Sequence, residues 1–316
     1  MSRPRPGRPL WIAARTAVAL AAALAVVWSV TRPESPTTTR LPSTAPSPPS
    51  TTVDALAEPR ARTPQAPPVP ARRLVLAAEK AAQKAADPGM ILGVAVTDLH
   101  TGAHAVGGDG DRPFMAASLT KLIVAVDVLD QLRAEGRQLT EDDRDLIHRA
   151  LSAGDDNAMN VLWGKHDGAG AIARTAARLE LSATLPPEST EMWGDVEVTA
   201  ADMAKVFGHV LRDMPPDDGA VIVEALSAAT SVATDGFAQH YGVLHQGASP
   251  RSYAKQAWVP YAPAGYLLHS AGVVYDGRTG HAYAIALLSI QPYTSEQAAR
   301  DRLSDIAAAA TADLDR

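Results

Sequence analysis

The sequence predicts an α+β fold in which both ends of a globular domain contribute strands to one antiparallel sheet. Two strand-like segments come early, at residues 91–98 and 103–106, with a Thr-Gly turn between them. Three more come late and are rich in Val, Ile, Tyr and Leu, at residues 252–258, 266–275 and 281–291. Helical patterns fill the chain between the two groups. We therefore expect a five-stranded antiparallel sheet flanked by helices, with an inserted all-helical lobe.

The N-terminal segment, residues 1–30, has the layout of a signal anchor or a signal peptide. Arginines precede an uninterrupted apolar run at residues 17–28. Arg15 keeps this run below the span of about 20 residues that a transmembrane helix needs, so an uncleaved anchor and a cleaved signal peptide both stay open, with the anchor favoured. The excess of arginine before the run predicts that the rest of the chain lies outside the cytoplasm.

Residues 31–70 predict a disordered linker, because Pro, Ser, Thr and Ala dominate and large apolar residues are few. The remaining residues, 71–316, are long enough for one large domain. The net charge of -6 gives no basic surface, so we expect no nucleic-acid partner. The sequence contains no cysteine, which excludes disulfides, a cysteine nucleophile and a lipidated cysteine.

The helices of the domain follow from apolar periodicity and from capping signals. Thr140 with Asp143, and Thr199 with Asp202, place a side-chain cap three residues before an acidic residue, as helix N-termini often do. A proline-bearing loop is expected at residues 182–198. The remaining apolar patterns predict helices at residues 72–86, 118–129, 140–151, 156–163, 169–179, 199–211, 217–229 and 295–314.

The second of these helices carries the strongest chemical signal. Ser118 and Lys121 are three residues apart, so a helix places the hydroxyl and the amine on one face. The segment from Leu122 to Leu129 is almost wholly apolar, which predicts a buried helix. Burial disfavours the ammonium form of a lysine, and a neutral amine can take the proton of a serine that attacks a carbonyl carbon. Ser118 could instead be a helix N-cap, with Lys121 reaching solvent.

This S-x-x-K helix, with the strand pair before it and the helical lobe and three strands after it, resembles the penicillin-recognising serine hydrolases. These are the class A β-lactamases and the low-molecular-weight D,D-peptidases, and the likeness covers roughly residues 72–314. It implies a β-lactamase/transpeptidase-like fold, with Ser118 as nucleophile and Lys121 as its base. It also implies an oxyanion hole formed by the backbone N–H of Ser118 and one near Ala257.

The second motif of that family, S-x-N, falls within residues 152–162. One alignment puts Asp155 at the serine and Asn157 at the asparagine. The other puts Gly154 at the serine and Asp156 at the asparagine, and it keeps the alanine and the asparagine that follow the motif, so it is preferred. Neither alignment supplies the serine. Asp156 and Asn157 are therefore both candidate substrate-binding residues, and the aspartates can instead be helix N-caps.

The third motif, K-T-G, corresponds to Lys255-Gln256-Ala257. Lys255 is kept and would attract a substrate carboxylate. Gln256 replaces the hydroxyl, and Ala257 replaces a glycine that lets substrate backbone lie close. The resemblance therefore makes Lys255 and Ala257 candidate substrate-binding residues.

Two further residues that the family uses are replaced. The glutamate that activates the deacylating water has no match at the right spacing, and Glu188 and Glu191 in the loop are expected to be solvated. His269 lies where an arginine is expected, and we assign it a core or surface role. No metal or cofactor is predicted, because His100 and His104 are separated by a hairpin turn.

The sequence therefore predicts an extracytoplasmic serine hydrolase-like protein. It is expected to react with β-lactam or peptidoglycan-peptide-like substrates by acyl transfer to Ser118, and to hydrolyse the resulting acyl-enzyme poorly. The substrate is a small molecule, the membrane is contacted through residues 1–30, and a monomer is expected. The alternative is a catalytically eroded β-lactamase-fold module that binds the cell wall or a partner.

Overall fold

The computed structural model describes residues 71–84, 89–262, 265–276, 279–312 and 314. The predicted signal segment and linker, residues 1–70, lie outside these residues. Within the described part of the chain, no helix combines the length and the apolar character needed to cross a bilayer.

A five-stranded antiparallel sheet forms the centre of the domain, in the order β2-β1-β7-β6-β5. The strands are β1 (Ile91–Asp98), β2 (His104–Gly108), β5 (Tyr253–Ala262), β6 (Gly265–Tyr275) and β7 (Ala282–Gln291). β1 pairs with β7 from Ile91 opposite Ile290 through Asp98 opposite Tyr283, so the early and late strands meet in mid-sheet. β5 is left as an edge strand. The fold predicted from the sequence is confirmed.

In the described residues, eight α-helices surround the sheet and form the lobe. Their bounds are α1 (Ala71–Lys84), α2 (Thr120–Ala134), α3 (Glu141–Ser152), α4 (Asp156–Lys165), α5 (Gly168–Arg178), α6 (Ala200–Gly208), α7 (Pro216–Ser227) and α8 (Glu296–Thr311). Thr140 and Thr199 cap α3 and α6 by accepting from the backbone N–H of Asp143 and Asp202, as the sequence predicts. A π-helical turn, His209–Asp213, extends α6.

Two hydrophobic clusters lie on opposite faces of the sheet. One contains the buried side of α1 and α8, including Leu74 and Leu303. The other is built around α2, whose residues from Leu122 to Leu129 are all buried. An α-helix that is apolar on every side has to lie inside the protein, and α2 does so. The buried Asp127 on this helix is paired with Arg174 and Arg178 of α5.

A short strand pair that the sequence did not predict connects the start of the nucleophile segment to the loop after the lobe. β3 (Phe114–Met115) pairs with β4 (Glu197–Val198). Ala116 extends the contact by donating its backbone N–H to the carbonyl of Val196 at 2.6 Å. The chain just before Ser118 is therefore fixed to the loop at residues 182–198.

Candidate functional site

Ser118 lies in a 3₁₀ turn, Ala117–Leu119, that leads directly into α2. Its hydroxyl makes no capping hydrogen bond, so the N-cap alternative is wrong. Ala117 has φ of 46°, a left-handed conformation that non-glycine residues seldom adopt and that costs of the order of 1 kcal/mol. Such backbone outliers concentrate at functional sites.

Lys121 is enclosed by three oxygen atoms. Its Nζ lies 2.9 Å from Ser118 Oγ, 3.0 Å from the carbonyl oxygen of Gly154 and 2.6 Å from Asp156 Oδ1. An ammonium group can donate to all three. A neutral amine can donate to Gly154 and Asp156 and accept the Ser118 proton on its lone pair. The same contacts therefore accommodate both the neutral and the ammonium form of Lys121, and a general base alternates between these two forms.

Burial and charge act in opposite directions on Lys121. Its side chain is fully buried, and desolvation lowers its pKa below the ordinary lysine value. The Asp156 carboxylate, by charge and by hydrogen bond, opposes part of that shift. Desolvation is the larger effect, so the pKa is lowered on balance, as a serine-activating amine requires.

Asp156, rather than Asn157, reaches Lys121. Asp155 is the N-cap of α4, and its Oδ1 accepts from the backbone N–H groups of Asn157 and Ala158. This cap points Asp156 toward Lys121 and leaves Asn157 exposed one residue further on. The geometry favours the alignment with Gly154 and Asp156 in the second motif and does not bring the Asn157 side chain to Lys121.

Gly154 occupies the place that the resemblance gives to the motif serine. Its φ is 66°, and a Cβ built on it would lie 3.3 Å from the Ala233 methyl and 4.0 Å from Lys255 Nζ. The glycine therefore lies between the two lysines and contributes a backbone carbonyl in place of a hydroxyl.

Lys255 on β5 is buried beside Lys121. Its Nζ donates to the carbonyl oxygen of its neighbour Gln256 at 3.2 Å. Desolvation and, to a smaller extent, the charge of Lys121 lower the pKa of Lys255 to about 7. A group with this pKa exchanges between charged and neutral forms near neutrality.

Gln256 does not offer its side chain in place of the motif hydroxyl. It is buried, and its Nε2 donates to the carbonyls of Gln239 and Tyr241, each at 2.8 Å. Gln239 in turn donates to the carbonyls of Ser152 and Thr230. This pair of amides connects β5 to the end of α3 and thereby holds the two walls of the site together.

Ala257 lies where a backbone oxyanion donor is expected. Since β5 is an edge strand, every second backbone N–H along it is directed away from β6. The 3₁₀ turn with Ser118 packs against β5. The Tyr241 hydroxyl donates to the carbonyl of His269 at 2.9 Å and lies 3.3 Å from that of Ala257, which fixes the strand pair at this point.

The loop at residues 182–198 is fixed at its start by Asp202. This fully buried carboxylate accepts from the backbone N–H groups of Ser182 and Ala183, each at 2.9 Å, and from the Thr184 hydroxyl at 3.0 Å. Glu188 and Glu191 are exposed in the loop. Neither has a contact in the described part of the chain that would direct it to Ser118.

Trp193, which the sequence did not single out, lies over the amine of Lys121. The ring centre is 4.9 Å from Lys121 Nζ, and the indole Nε1 donates to Asn160 Oδ1 at 2.8 Å. An aromatic residue in a polar, proline-bearing loop was the available signal, but only the loop's path places it here.

His269 has a core role, as expected. Its Nδ1 accepts from the backbone N–H of Ser289 at 3.1 Å, so the ring proton lies on Nε2, which donates to the Met115 carbonyl at 2.9 Å. Complete burial lowers the pKa of His269 to about 4. The neutral ring therefore ties β6 to the strand that precedes Ser118.

A cavity of about 590 Å³ lies apart from this cluster. It lies between α6 and the β1–β2 hairpin and is lined by Ala95, Val106, Ala204 and Arg212, among others. None of its lining residues belongs to the Ser118 cluster.

Solved structures define the class of fold. The TLA-3 extended-spectrum beta-lactamase matches with a TM-score of 0.63 at 13% identity, over 76% of this chain and 98% of that one. A class A beta-lactamase from Bacteroides cellulosilyticus DSM 14838 gives a TM-score of 0.63 at 15% identity, over 76% and 99%. The fold is that of the class A β-lactamases.

Sequence comparison adds a family and a group of relatives. The model of the "Beta-lactamase enzyme family" matches residues 76–142, the segment with Ser118 and Lys121. Together with the fold, this match supports a divergent relationship of the chain to the β-lactamase/transpeptidase superfamily. A protein named "Putative lipoprotein LppW" in Mycobacterium tuberculosis (strain ATCC 25618 / H37Rv) is 29% identical over 217 residues, 67% of each chain, and its Mycobacterium bovis counterpart matches equally.

Proposed function

We propose that the protein is a serine acyltransferase in which Ser118 is the nucleophile and Lys121 its general base. The observation that carries this proposal is the 2.9 Å separation of Lys121 Nζ from Ser118 Oγ, with the lysine fully buried and its pKa lowered. The Ser118 oxygen attacks a carbonyl carbon while its proton passes to the amine, and the C–N bond of the substrate then breaks as the leaving nitrogen is protonated.

The proposed substrates are β-lactams or peptidoglycan-peptide-like molecules that carry a carboxylate. Lys255 supports this class, since its ammonium form would attract a carboxylate in a site that already contains Lys121. The backbone N–H groups of Ser118 and of β5 near Ala257 would stabilise the oxyanion. The structural relatives are named beta-lactamases, which fits β-lactams as substrates.

Acyl-enzyme hydrolysis is proposed to be slow. Gly154 provides no hydroxyl to relay a proton, and the glutamates of the loop at residues 182–198 are exposed. The Gln256 side chain is engaged with backbone carbonyls and is unavailable to substrate. The Ser118–Lys121 contact itself is kept.

We propose an extracytoplasmic location, with a monomer held at the membrane by residues 1–30. The relatives carry "lipoprotein" in their name, which fits a membrane-anchored class. This sequence has no cysteine for lipid attachment, so the apolar run at residues 17–28 would provide the anchor. N-terminal sequencing of membrane-fraction protein tests it, and a start beyond Ala25 rules out the uncleaved anchor.

The function is tested by incubating the purified full-length chain with a fluorescent penicillin and measuring intact mass. We expect one covalent adduct, which Ser118→Ala abolishes and Ser227→Ala retains. Ser227 is the matched control because it is an exposed serine at the end of α7. Absence of an adduct, at concentrations that label a control peptidase, would favour the non-catalytic binding module.

A further inference from the structure

The indole ring of Trp193 lies over the Lys121 amine. Ser118, Gly154 and Asp156 supply the three polar contacts of Nζ, and the indole ring lies 4.9 Å from the same atom. The Lys121 side chain has no exposed surface, although Asp156, its partner, is 59% exposed. The amine is therefore shut off from bulk water by a combination of polar atoms and one aromatic ring.

The ring is held in this place by several contacts of its loop. The indole Nε1 donates to Asn160 on α4 at 2.8 Å. Trp163, also on α4, donates its own Nε1 to the carbonyl of Thr190 at 2.7 Å. The β3–β4 pair fixes the chain just after the tryptophan. Two contacts to α4 and one strand pair thus set the indole before any substrate binds.

Release of an acyl group from Ser118 by water needs free space beside the lysine amine. The water oxygen must attack the ester carbonyl while its proton passes to Lys121, which then returns a proton to the departing Ser118 oxygen. A water molecule needs room and two or more polar partners. Three oxygen atoms already surround the amine, and the indole ring 4.9 Å away is mainly apolar and offers a water molecule few polar partners.

We propose that Trp193 is a positioning residue that keeps water away from the Lys121 amine and thereby prolongs the life of the acyl-enzyme. This inference rests on the proposed acyl transfer to Ser118 and extends it to the fate of the intermediate. Trp193 slows hydrolysis without taking part in bond formation, because it contacts the base and not the reacting carbonyl.

The experiment compares the full-length chain with Trp193→Ala, Trp193→Phe and a control, Tyr293→Ala. Tyr293 is a matched control because it is an aromatic residue that is 64% exposed. After acylation with the fluorescent penicillin, free drug is removed and adduct loss is followed by intact mass. We expect Trp193→Ala to shorten the adduct half-life about tenfold or more, with a smaller change in the acylation rate.

Trp193→Phe keeps a ring but loses the hydrogen bond to Asn160, so it should recover most of the wild-type half-life. Tyr293→Ala should leave the half-life unchanged. A merely structural effect of Trp193→Ala would lower acylation and stability together, which thermal unfolding of each variant detects. An unchanged half-life in Trp193→Ala would overturn the inference.

A second measurement is independent of acylation. The unacylated proteins are treated with acetic anhydride, and acetylation of Lys121 is mapped by peptide mass. We expect Lys121 to resist the reagent in the wild type and to react in Trp193→Ala. If no chain forms a penicillin adduct, the proposed function fails, and this labelling still decides whether the indole shields the amine. Equal labelling of Lys121 in both proteins would overturn the shielding.

Discussion

Asp156 and Lys121 form an ion pair of 2.6 Å in which the lysine is fully buried and the aspartate is largely exposed. The pair sets the availability of the proposed base. Desolvation lowers the pKa of Lys121, and the Asp156 carboxylate offsets part of this effect by favouring the ammonium form. The resemblance places a neutral asparagine at this position in the related enzymes. In this chain the charge of Asp156 instead favours the ammonium form of Lys121 and so reduces the fraction of neutral base.

Replacing Asp156 with asparagine should make the base more available. Asp156→Asn keeps an oxygen that can accept from Lys121 but removes the charge, so the pKa of Lys121 falls further. The neutral amine is then more populated near neutral pH, and we expect penicillin acylation at pH 7 to rise about threefold to tenfold. The acid limb of the acylation pH profile should move to lower pH, which stopped-flow fluorescence measures.

The matched control for this change is Asp145→Asn, which removes a carboxylate that is exposed and paired with Arg149 on α3. It should leave both the acylation rate and the pH profile unchanged. An unshifted profile in Asp156→Asn would show that Lys121 is not the group whose titration limits acylation.

Burial of Lys255, which is proposed to attract a substrate carboxylate, should lower the stability of the fold. Its pKa of about 7 lies below the ordinary value of 10.5, so between these limits the unfolded chain binds more protons than the folded one and stability rises with pH. Lys255→Met removes this burden, and we expect it to stabilise the protein by about 1–4 kcal/mol at pH 6. The gain should shrink as the pH approaches 10.

Urea unfolding at pH 6, 8 and 10 measures this effect. Lys205→Met is the control, since Lys205 is about half exposed. A destabilised Lys255→Met at pH 6 would contradict the expected cost of burying the Lys255 ammonium. Carboxylate-bearing ligands should also bind more weakly to the wild type above pH 7 than below it, as Lys255 loses its charge.

The sequence was sufficient for the fold because its signals are local. The strands of both chain ends alternate or are apolar, and the caps at Thr140 and Thr199 follow from three-residue spacings. The same holds for Ser118 and Lys121, because neighbours on one helix face need no tertiary information.

The other walls of the site depend on contacts between distant segments, which local patterns do not contain. The sequence left two alignments open for Asp156 and Asn157, and only the cap at Asp155 directs Asp156 to Lys121. Gln256 was expected to replace a hydroxyl in the site, but a strand residue that is buried with a polar side chain must find partners, and the carbonyls near Gln239 supply them.

Trp193 was missed for a similar reason. Its place over Lys121 is determined by the anchors of a loop rather than by its neighbours in sequence. Loops with little secondary structure position their side chains through such anchors.

His269 should make the protein sensitive to acid. Its folded pKa of about 4 lies below its ordinary value of 6.5, so the unfolded chain binds a proton that the folded chain refuses between these limits. Stability is therefore present above pH 6.5 and is lost as the pH falls toward 4, by up to about 3 kcal/mol. His269→Gln should flatten this dependence. His104→Gln, at an exposed position, should not. Thermal unfolding between pH 4 and 7 compares the three proteins.

Asp202 should govern both the stability of the loop and the cover over Lys121. Asp202→Ala leaves the backbone N–H groups of Ser182 and Ala183 and the buried Thr184 hydroxyl without their acceptor, at a cost of about 3 kcal/mol. Asp217→Ala, an exposed change in the first turn of α7, should cost less than about 1 kcal/mol. Because the same loop carries Trp193, Asp202→Ala should also shorten the acyl-enzyme half-life at temperatures well below its unfolding transition. A loss of stability with an unchanged half-life would mean that the contacts of the indole with α4 hold it in place without the anchor at Asp202.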